Sequence, residues 1–207
     1  MSIEGIDLPR VTEWLDREVA ELSGPYEFEL ITGGRSNLTF RGTDASGTAF
    51  VLRRPPMGNV LASAHDMERE HRLISAVGQT NVPVPRTLGV CRNADVNGAP
   101  FYVMSYVEGV VLDSADRAEA MTIEQRRDAG HHLIDVLADL HAVDIDAVGL
   151  GDLARRDGYV ERQVRRWTTQ WENSKTREVD EVDEVARRLA ARLHEDVAEP
   201  VVAVRDR

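Results

Sequence analysis

The sequence has one cysteine and a deficit of positive charge. Cys91 is the single cysteine among 207 residues, so neither an internal disulfide nor a cysteine-based metal cluster can form, and a reducing compartment is expected. The 25 Lys and Arg residues are outnumbered by 36 Asp and Glu, and the net charge is -11. Nucleic-acid binding needs a concentrated excess of cationic side chains. We therefore expect no nucleic-acid partner.

Long apolar segments are also absent from the sequence. No stretch approaches the roughly 20 apolar residues that a membrane span requires, so no membrane partner is expected. The first residues, MSIEGIDLPR, carry acidic side chains where a signal peptide has positive charge and then an apolar run. A hydrophobic content of 42% is ample for a buried core. These features predict a cytoplasmic, globular protein.

Turn signals divide the first half of the chain into short β segments. A predicted helix from Leu8 to Leu22 precedes an antiparallel meander whose three strands are YEFELI, LTFRGTD and AFVLRR. A helix over about residues 62–77 follows. The stretch VPVPRTLGV, a polar turn NADVNGAP and the apolar strand FYVMSYV complete the pattern. The pattern predicts a sheet of about five strands with one inserted helix.

Helical periodicity dominates the second half of the chain. Apolar residues recur at helical spacing in three segments, over about residues 123–142, 159–171 and 179–197. The composition changes from strand-rich to helical near residue 108. We therefore predict an α+β fold with two lobes, an N-terminal lobe at residues 1–107 and a helical lobe at residues 108–207.

The stretch ITGGRSNLTF places a glycine pair between two predicted strands. Glycines allow backbone N–H groups to approach a phosphate closely, and neighbouring polar side chains add contacts. The candidate phosphate-binding residues are Gly33, Gly34, Arg35, Ser36 and Asn37. The alternative is an ordinary hairpin turn that needs positive φ angles. Taken alone, the motif favours the turn.

Glu70 falls on the apolar side of the helix predicted over residues 62–77. The i, i+3, i+4 rule places it in one stripe with Met67, Ile74 and Val77. An ionised carboxylate on that side needs a cationic partner, because desolvating an unpaired charge is costly. We expect Arg53, more than its neighbour Arg54, to reach both Glu70 and a phosphate. The alternative is a Glu70 at the exposed helix edge and arginines on the surface.

The strand FYVMSYV leads into a connector that suits a flat heteroaromatic base. Ser105, Tyr106 and Val107 leave the predicted sheet beside apolar walls. Such a connector exposes backbone donors and acceptors to a ligand. As an isolated motif it would be only a buried strand that ends in a turn.

Together these segments resemble the aminoglycoside phosphotransferase-like small-molecule kinases, which share the protein-kinase-like fold. The resemblance is greatest to the branch related to kinase-like domains fused to acyl-CoA dehydrogenases, and it rests on ITGGRSNLTF, FVLRRPPMG, MEREHRLISAV, VPVPRTLGV, FYVMSYVEG, LADLHAVD and GYVERQVRRW. It implies that residues 33–37 form the phosphate-covering loop and that Arg53 replaces the usual strand lysine. Glu70 would be its helix partner, and residues 105–107 the adenine-binding hinge. The implied activity is ATP-dependent phosphoryl transfer to a hydroxyl group of a small molecule.

Three departures from the family pattern qualify these expectations. The loop lacks the full G-x-G-x-x-G, so protein-kinase activity is not expected, and arginine is not interchangeable with lysine. The third departure is that the family's H-G-D segment and its later magnesium-binding aspartate are not found. Asp206 occupies the slot of the catalytic aspartate, although a frayed terminal residue is the simpler interpretation.

The third departure leads to a second functional expectation. The sequence is expected to be truncated before the catalytic loop, so the protein ligands for Mg²⁺ are missing and no metal-binding residue is predicted. The alternative function is accordingly a non-catalytic, kinase-like protein that binds nucleotide or a partner. An incomplete helical lobe would also expose apolar surface, which favours self-association.

Overall fold

The structure is a computed structural model, and it describes residues 3–31, 37–58, 65–112, 114–153 and 158–192. The chain divides into two compact units, Met1–Val148 and Gly149–Arg207. The first unit contains the sheet and the helices up to residue 141, and the second contains the last two described helices. The predicted lobe boundary at residue 107 stays a prediction.

Five antiparallel strands form a single sheet in the first unit. Their bounds are Glu27–Leu30 (β1), Leu38–Thr43 (β2), Ala49–Arg54 (β3), Thr87–Cys91 (β4) and Phe101–Ser105 (β5). The spatial order is β1-β2-β3-β5-β4, so β5 lies between β3 and β4. The predicted α+β fold with a five-stranded antiparallel sheet is confirmed.

Seven helices are present in the described part of the chain. They are Leu8–Glu18 (α1), Met67–Val77 (α2), Ala94–Asn97 (α3), Ala115–Glu119 (α4), Ile123–His141 (α5), Tyr159–Ser174 (α6) and Asp180–Arg192 (α7). Among these described helices, none is both long enough and apolar enough to cross a membrane. Helices α3 and α4 were not predicted from the sequence, because both are short and begin at local caps, Asn93 and Ser114.

The two faces of the sheet differ in chemistry because side chains alternate along each strand. Phe40, Leu52 and Val103 are paired across β2, β3 and β5, and all three are fully buried on one face. The adjacent row on the other face contains Thr39, Arg53 and Tyr102. We call the first face the core face and the second the polar face.

Helix α1 covers the core face. Its N-cap Asp7 accepts a hydrogen bond from the backbone N–H of Arg10, and its apolar stripe is buried against the sheet. Trp14 packs edge-to-face on Phe101 with ring centroids 4.9 Å apart. The helix ends at Glu18, earlier than the predicted Leu22, although Leu22 is still part of the core.

Helix α2 packs against β4 and β5. It begins at Met67, because the Asp66 carboxylate accepts a hydrogen bond from the backbone N–H of Arg69 at 2.9 Å and so caps the helix. The prediction placed its start near residue 62, but residues 59–64 lie outside the described part of the chain. Of the predicted apolar stripe, Met67 is buried, whereas Glu70, Ile74 and Val77 are half-buried.

Gly42 is required on the core face by the ring of Phe50. The two residues are cross-strand partners, and a Cβ atom at Gly42 would lie 2.2 Å from Cζ of Phe50. Phe50 is fully buried and contacts the rings of Tyr26 and Phe28, so it has little room to move. We predict that Gly42→Ala lowers the free energy of unfolding by about 2–3 kcal/mol, measured by urea denaturation.

Gly130→Ala is the matched control for this substitution. Gly130 lies inside α5, and a Cβ atom there meets nothing within 4 Å. Alanine favours a helix by about 0.5–1 kcal/mol over glycine, so this variant should be slightly stabilised. Equal stability of the wild type and the Gly42→Ala variant would contradict the close packing inferred for Phe50.

The described helices of the second half present apolar side chains to solvent. No residue of α5 is buried, and Leu133 is 68% exposed. In the second unit, α6 and α7 form a helical pair in which Trp171 Nε1 donates to Asp183 Oδ1 at 2.9 Å, while Trp167 is 52% exposed. Self-association through this surface stays a prediction.

Candidate functional site

Arg53 and Glu70 form an ion pair on the polar face of the sheet. Arg53 extends from the end of β3 and Glu70 from the first turn of α2, and Nε of Arg53 donates to Oε2 of Glu70 at 3.0 Å. Each side chain retains 31% of its exposure, so the pair is partly desolvated and still reachable from solvent. The pairing that the sequence predicted is therefore present. The role of the pair in nucleotide binding stays a prediction.

Thr39 and Tyr102 complete the surroundings of this ion pair. Strand pairing places them on either side of Arg53, on β2 and β5. Nη1 of Arg53 donates to Oγ1 of Thr39 at 3.0 Å, and the Tyr102 hydroxyl donates to Oε2 of Glu70 at 3.2 Å. Neither residue was predicted as part of the site, because their proximity to Arg53 depends on strand order and register.

Asn37 connects the start of β2 to α2. Its side chain is only 6% exposed, and Nδ2 donates to Oε1 of Glu70 at 2.9 Å. Its Oδ1 lies 2.6 Å from Nδ1 of His65, the residue before the N-cap of α2. Asn37 was predicted as a site residue, whereas His65 was not, since no sequence pattern near residue 65 indicates chemistry.

Glu70 thus accepts hydrogen bonds at both carboxylate oxygens, from three different side chains. Burial, and then the nearby charge of Glu70, raises the pKa of Tyr102, so its phenol remains a donor at ordinary pH. Two of the three donors are neutral and one is cationic. The arrangement therefore holds an ionised Glu70 in one orientation and holds Arg53 with it.

The described residues do not fit the magnesium ion that the resemblance implies. Within them, no group of three or more His, Cys, Asp or Glu side chains could hold a metal ion. Glu70, the carboxylate of the site, is already engaged at both oxygens.

Arg54 points to the opposite face of the sheet from Arg53. It is 4% exposed, and Nη1 donates to the carbonyl oxygens of Gly5 at 2.9 Å and Asn97 at 2.8 Å. Burial lowers the pKa of its guanidinium. These contacts connect β3 to the segment before α1 and to α3, so Arg54 has a structural role and is not part of the polar face.

The predicted hinge residues lie at and just after the end of β5, which pairs with β3, the strand that carries Arg53. Ser105 ends β5 opposite Phe50, and its N–H donates to the carbonyl oxygen of Arg86 at 2.8 Å, so this donor is not available to a ligand. Tyr106 and Val107 come after the strand, and Val107 is 64% exposed.

The polar face continues from the ion pair toward this hinge. Arg41, Val51 and Met104 are paired across β2, β3 and β5 in the next row of the same face. The guanidinium of Arg41 lies 5.2 Å from the ring centroid of Tyr106. Val51 is 6% exposed and Met104 is half-buried. These two apolar side chains lie on the polar face between Arg53 and the hinge.

Five of the predicted site residues lie outside the described part of the chain. Four belong to the glycine segment and one to the C-terminal region, namely Gly33, Gly34, Arg35, Ser36 and Asp206. The remaining predictions fall into two groups. Asn37 and Arg53 both contact Glu70, and residues 105–107 lie at and just after the end of β5.

The chain is similar in sequence to known proteins. Two similar proteins are acyl-CoA dehydrogenase family members. Family member 11 from Gallus gallus is 34% identical over 174 residues, which are 84% of this chain and 22% of that protein. Family member 10 from Mus musculus is 32% identical over 172 residues, 83% of this chain and 16% of that protein. The chain thus spans about a fifth of the length of these relatives.

A solved structure and a family profile extend the comparison. The crystal structure of a candidate aminoglycoside phosphotransferase from Ralstonia eutropha superimposes with a TM-score of 0.74 at 31% identity, over 89% of this chain and 53% of that one. The phosphotransferase enzyme family (APH) matches residues 27–204, which include every described residue of the site. The chain therefore belongs to the phosphotransferase enzyme family.

Proposed function

We propose that this chain carries the ATP-binding site of a phosphotransferase that transfers the terminal phosphoryl group of ATP to a hydroxyl of a small molecule. The observation that carries the proposal is Arg53, a cation held by Glu70 on the open, polar face of the sheet. Glu70 also accepts a hydrogen bond from Asn37, which adjoins the glycine segment in sequence.

The geometry of Arg53 suits a phosphate ligand. Its bonds to Glu70 and Thr39 use one N–H at Nε and one at Nη1. A guanidinium carries further N–H donors in a planar fork, and this fork matches phosphate oxygens well. Because Glu70 and Thr39 fix the plane of the group, little side-chain entropy remains to be lost when phosphate binds.

The hinge supports a place for the adenine ring on the same face. Val51 and Met104 supply apolar surface between Arg53 and Tyr106. Tyr106 and Val107 follow the last residue of β5, so their backbone groups continue from the strand beside this apolar surface. In this proposal they pair with the edge of a flat heteroaromatic base.

The chemistry proposed for the described residues is electrostatic. Phosphoryl transfer depends mainly on positioning the phosphates and stabilising their charge. Arg53 would bind and orient them, and Glu70 would hold Arg53. The acceptor is proposed only as a small molecule with a hydroxyl group, and the cytoplasm as the compartment, since Cys91 is a buried free thiol.

The test is a calorimetric titration of the chain with ATP, compared between two glutamates of α2. Glu70→Gln removes the charge that holds Arg53, so the affinity for ATP should fall about tenfold. Glu68→Gln is the matched control. Glu68 is exposed and pairs with Arg92 at 2.8 Å, and it should leave the affinity unchanged.

Two outcomes would count against the proposal. One is an unmodified chain that binds no ATP at millimolar concentration. The other is an equal effect of the two substitutions, which would place the nucleotide away from Glu70. Circular dichroism and thermal unfolding of each variant would separate a loss of binding from a loss of folding.

A further inference from the structure

Asn37 and His65 form the outer part of a hydrogen-bonded chain that ends on Glu70. Asn37 is buried between β2 and α2, and both ends of its side-chain amide are engaged. Nδ2 contacts Oε1 of Glu70 at 2.9 Å, and Oδ1 contacts Nδ1 of His65 at 2.6 Å. These hydrogen bonds therefore link Asn37 to two side chains that lie 28 and 33 positions away in sequence.

The direction of every bond in this chain follows from Glu70. An ionised carboxylate only accepts hydrogen bonds, so the amide nitrogen of Asn37 must face it and the amide oxygen must face His65. A carbonyl oxygen also only accepts, so His65 must carry a proton on Nδ1. These hydrogen bonds thus require one orientation of the Asn37 amide and the Nδ1–H form of the His65 ring.

The same chain determines how Arg53 is held. Asn37 engages Oε1 of Glu70, while Arg53 and Tyr102 engage Oε2. Removing the Asn37 bond would free the carboxylate to rotate about its terminal torsion, which is broad in unconstrained glutamates. Arg53 would then lose its fixed plane, although its own bond partners remain present.

We propose that Asn37 and His65 are positioning residues of the nucleotide site. His65 orients the Asn37 amide, Asn37 orients Glu70, and Glu70 orients the phosphate-binding Arg53. This inference rests on the proposed function, because Arg53 must bind phosphate for its orientation to matter. It adds a link between the residue that follows the glycine segment and helix α2.

The first measurement is the affinity for ATP in variants of both residues. Asn37→Ala should weaken binding about tenfold, and His65→Ala about threefold to fivefold, because a buried hydrogen bond to a charged or polar group is lost in each. His65→Asn should restore most of the affinity, since its amide nitrogen can take the place of Nδ1. His65→Gln should not restore it, since its amide mimics Nε2.

The matched controls are Asn81→Ala and His132→Ala, which remove the same side chains from exposed positions in the first unit. Both should leave the affinity for ATP and the midpoint of thermal unfolding unchanged. If the hydrogen bonds of Asn37 and His65 had a purely structural role, the Asn37 and His65 variants would unfold at a lower midpoint. The affinity of the folded protein for ATP would then be unchanged.

The second measurement does not depend on nucleotide. Nitrogen-15 NMR of the histidine rings distinguishes a proton on Nδ1 from one on Nε2. We expect the neutral His65 ring to carry its proton on Nδ1 in the wild type, and to move toward the Nε2–H form, common in free histidine, in Asn37→Ala.

The outcomes separate this inference from the proposed function. If Glu70→Gln weakens ATP binding and both Asn37→Ala and His65→Ala do not, the inference is wrong and the proposed function stands. An Nε2–H ring in the wild type would also overturn the inference. Failure of the unmodified chain to bind ATP would overturn both.

Discussion

Replacing Arg54 by methionine is expected to lower the free energy of unfolding by about 3 kcal/mol. Methionine fills a similar volume but donates no hydrogen bond. The carbonyl oxygens of Gly5 and Asn97 would then lose a charged donor, the first at a part-buried and the second at a buried position. Leaving a buried acceptor unpaired costs about 1–3 kcal/mol. Because methionine carries no charge, the cost of burying the guanidinium is also removed, and this offsets part of the loss.

Urea denaturation of the Arg54→Met variant measures this effect. Arg92→Met is the control, because Arg92 is 65% exposed in its ion pair with Glu68 and should contribute little to stability. The folded fraction of Arg54→Met should bind ATP with the affinity of the wild type, since Arg54 lies on the core face. An unchanged urea midpoint would mean that the bonds of Arg54 to Gly5 and Asn97 make no net contribution.

Strand alternation made the different roles of the two arginines predictable from sequence. Successive side chains of a strand point to opposite faces, so the adjacent arginines at the end of AFVLRR must face opposite sides of the sheet. Their burial agrees, since Arg53 is partly exposed and Arg54 is buried. Helical spacing likewise placed Glu70 on the inner side of α2. The two patterns together indicated Arg53 as the partner of Glu70, and the 3.0 Å contact agrees.

The remaining partners of Glu70 could not be predicted, because they depend on pairing between distant segments. Tyr102 reaches the site only because β5 lies beside β3, with β4 on the outside of the sheet. His65 reaches it only through Asn37, a residue 28 positions away in sequence. Local propensity contains no information about such register, whereas the cap at Asp66 was a sequence signal that would have shortened α2.

Replacing Arg53 by methionine should have the opposite pattern of effects to Arg54→Met. The free energy of unfolding should fall by only about 1 kcal/mol or less, because the ion pair is partly exposed and Glu70 keeps its bonds from Asn37 and Tyr102. The affinity for ATP should fall far more, by about 50-fold, since a charge-assisted contact to phosphate is worth roughly 1.5–3 kcal/mol.

The decisive comparison is between Arg53→Met and Arg54→Met. The first should mainly weaken ATP binding, measured by calorimetric titration, and the second should mainly lower stability, measured by urea denaturation. Arg53→Lys tests whether the planar guanidinium is needed in addition to its charge. An ammonium keeps the charge but cannot hold Glu70 and Thr39 and still present a planar fork to phosphate, so its affinity should lie between those of the wild type and Arg53→Met. If Arg53→Met binds ATP as tightly as the wild type, the guanidinium does not contact the nucleotide. The cation on the polar face would then serve only to neutralise Glu70, whose carboxylate would otherwise face the hydroxyl of Tyr102 and the amide of Asn37 alone.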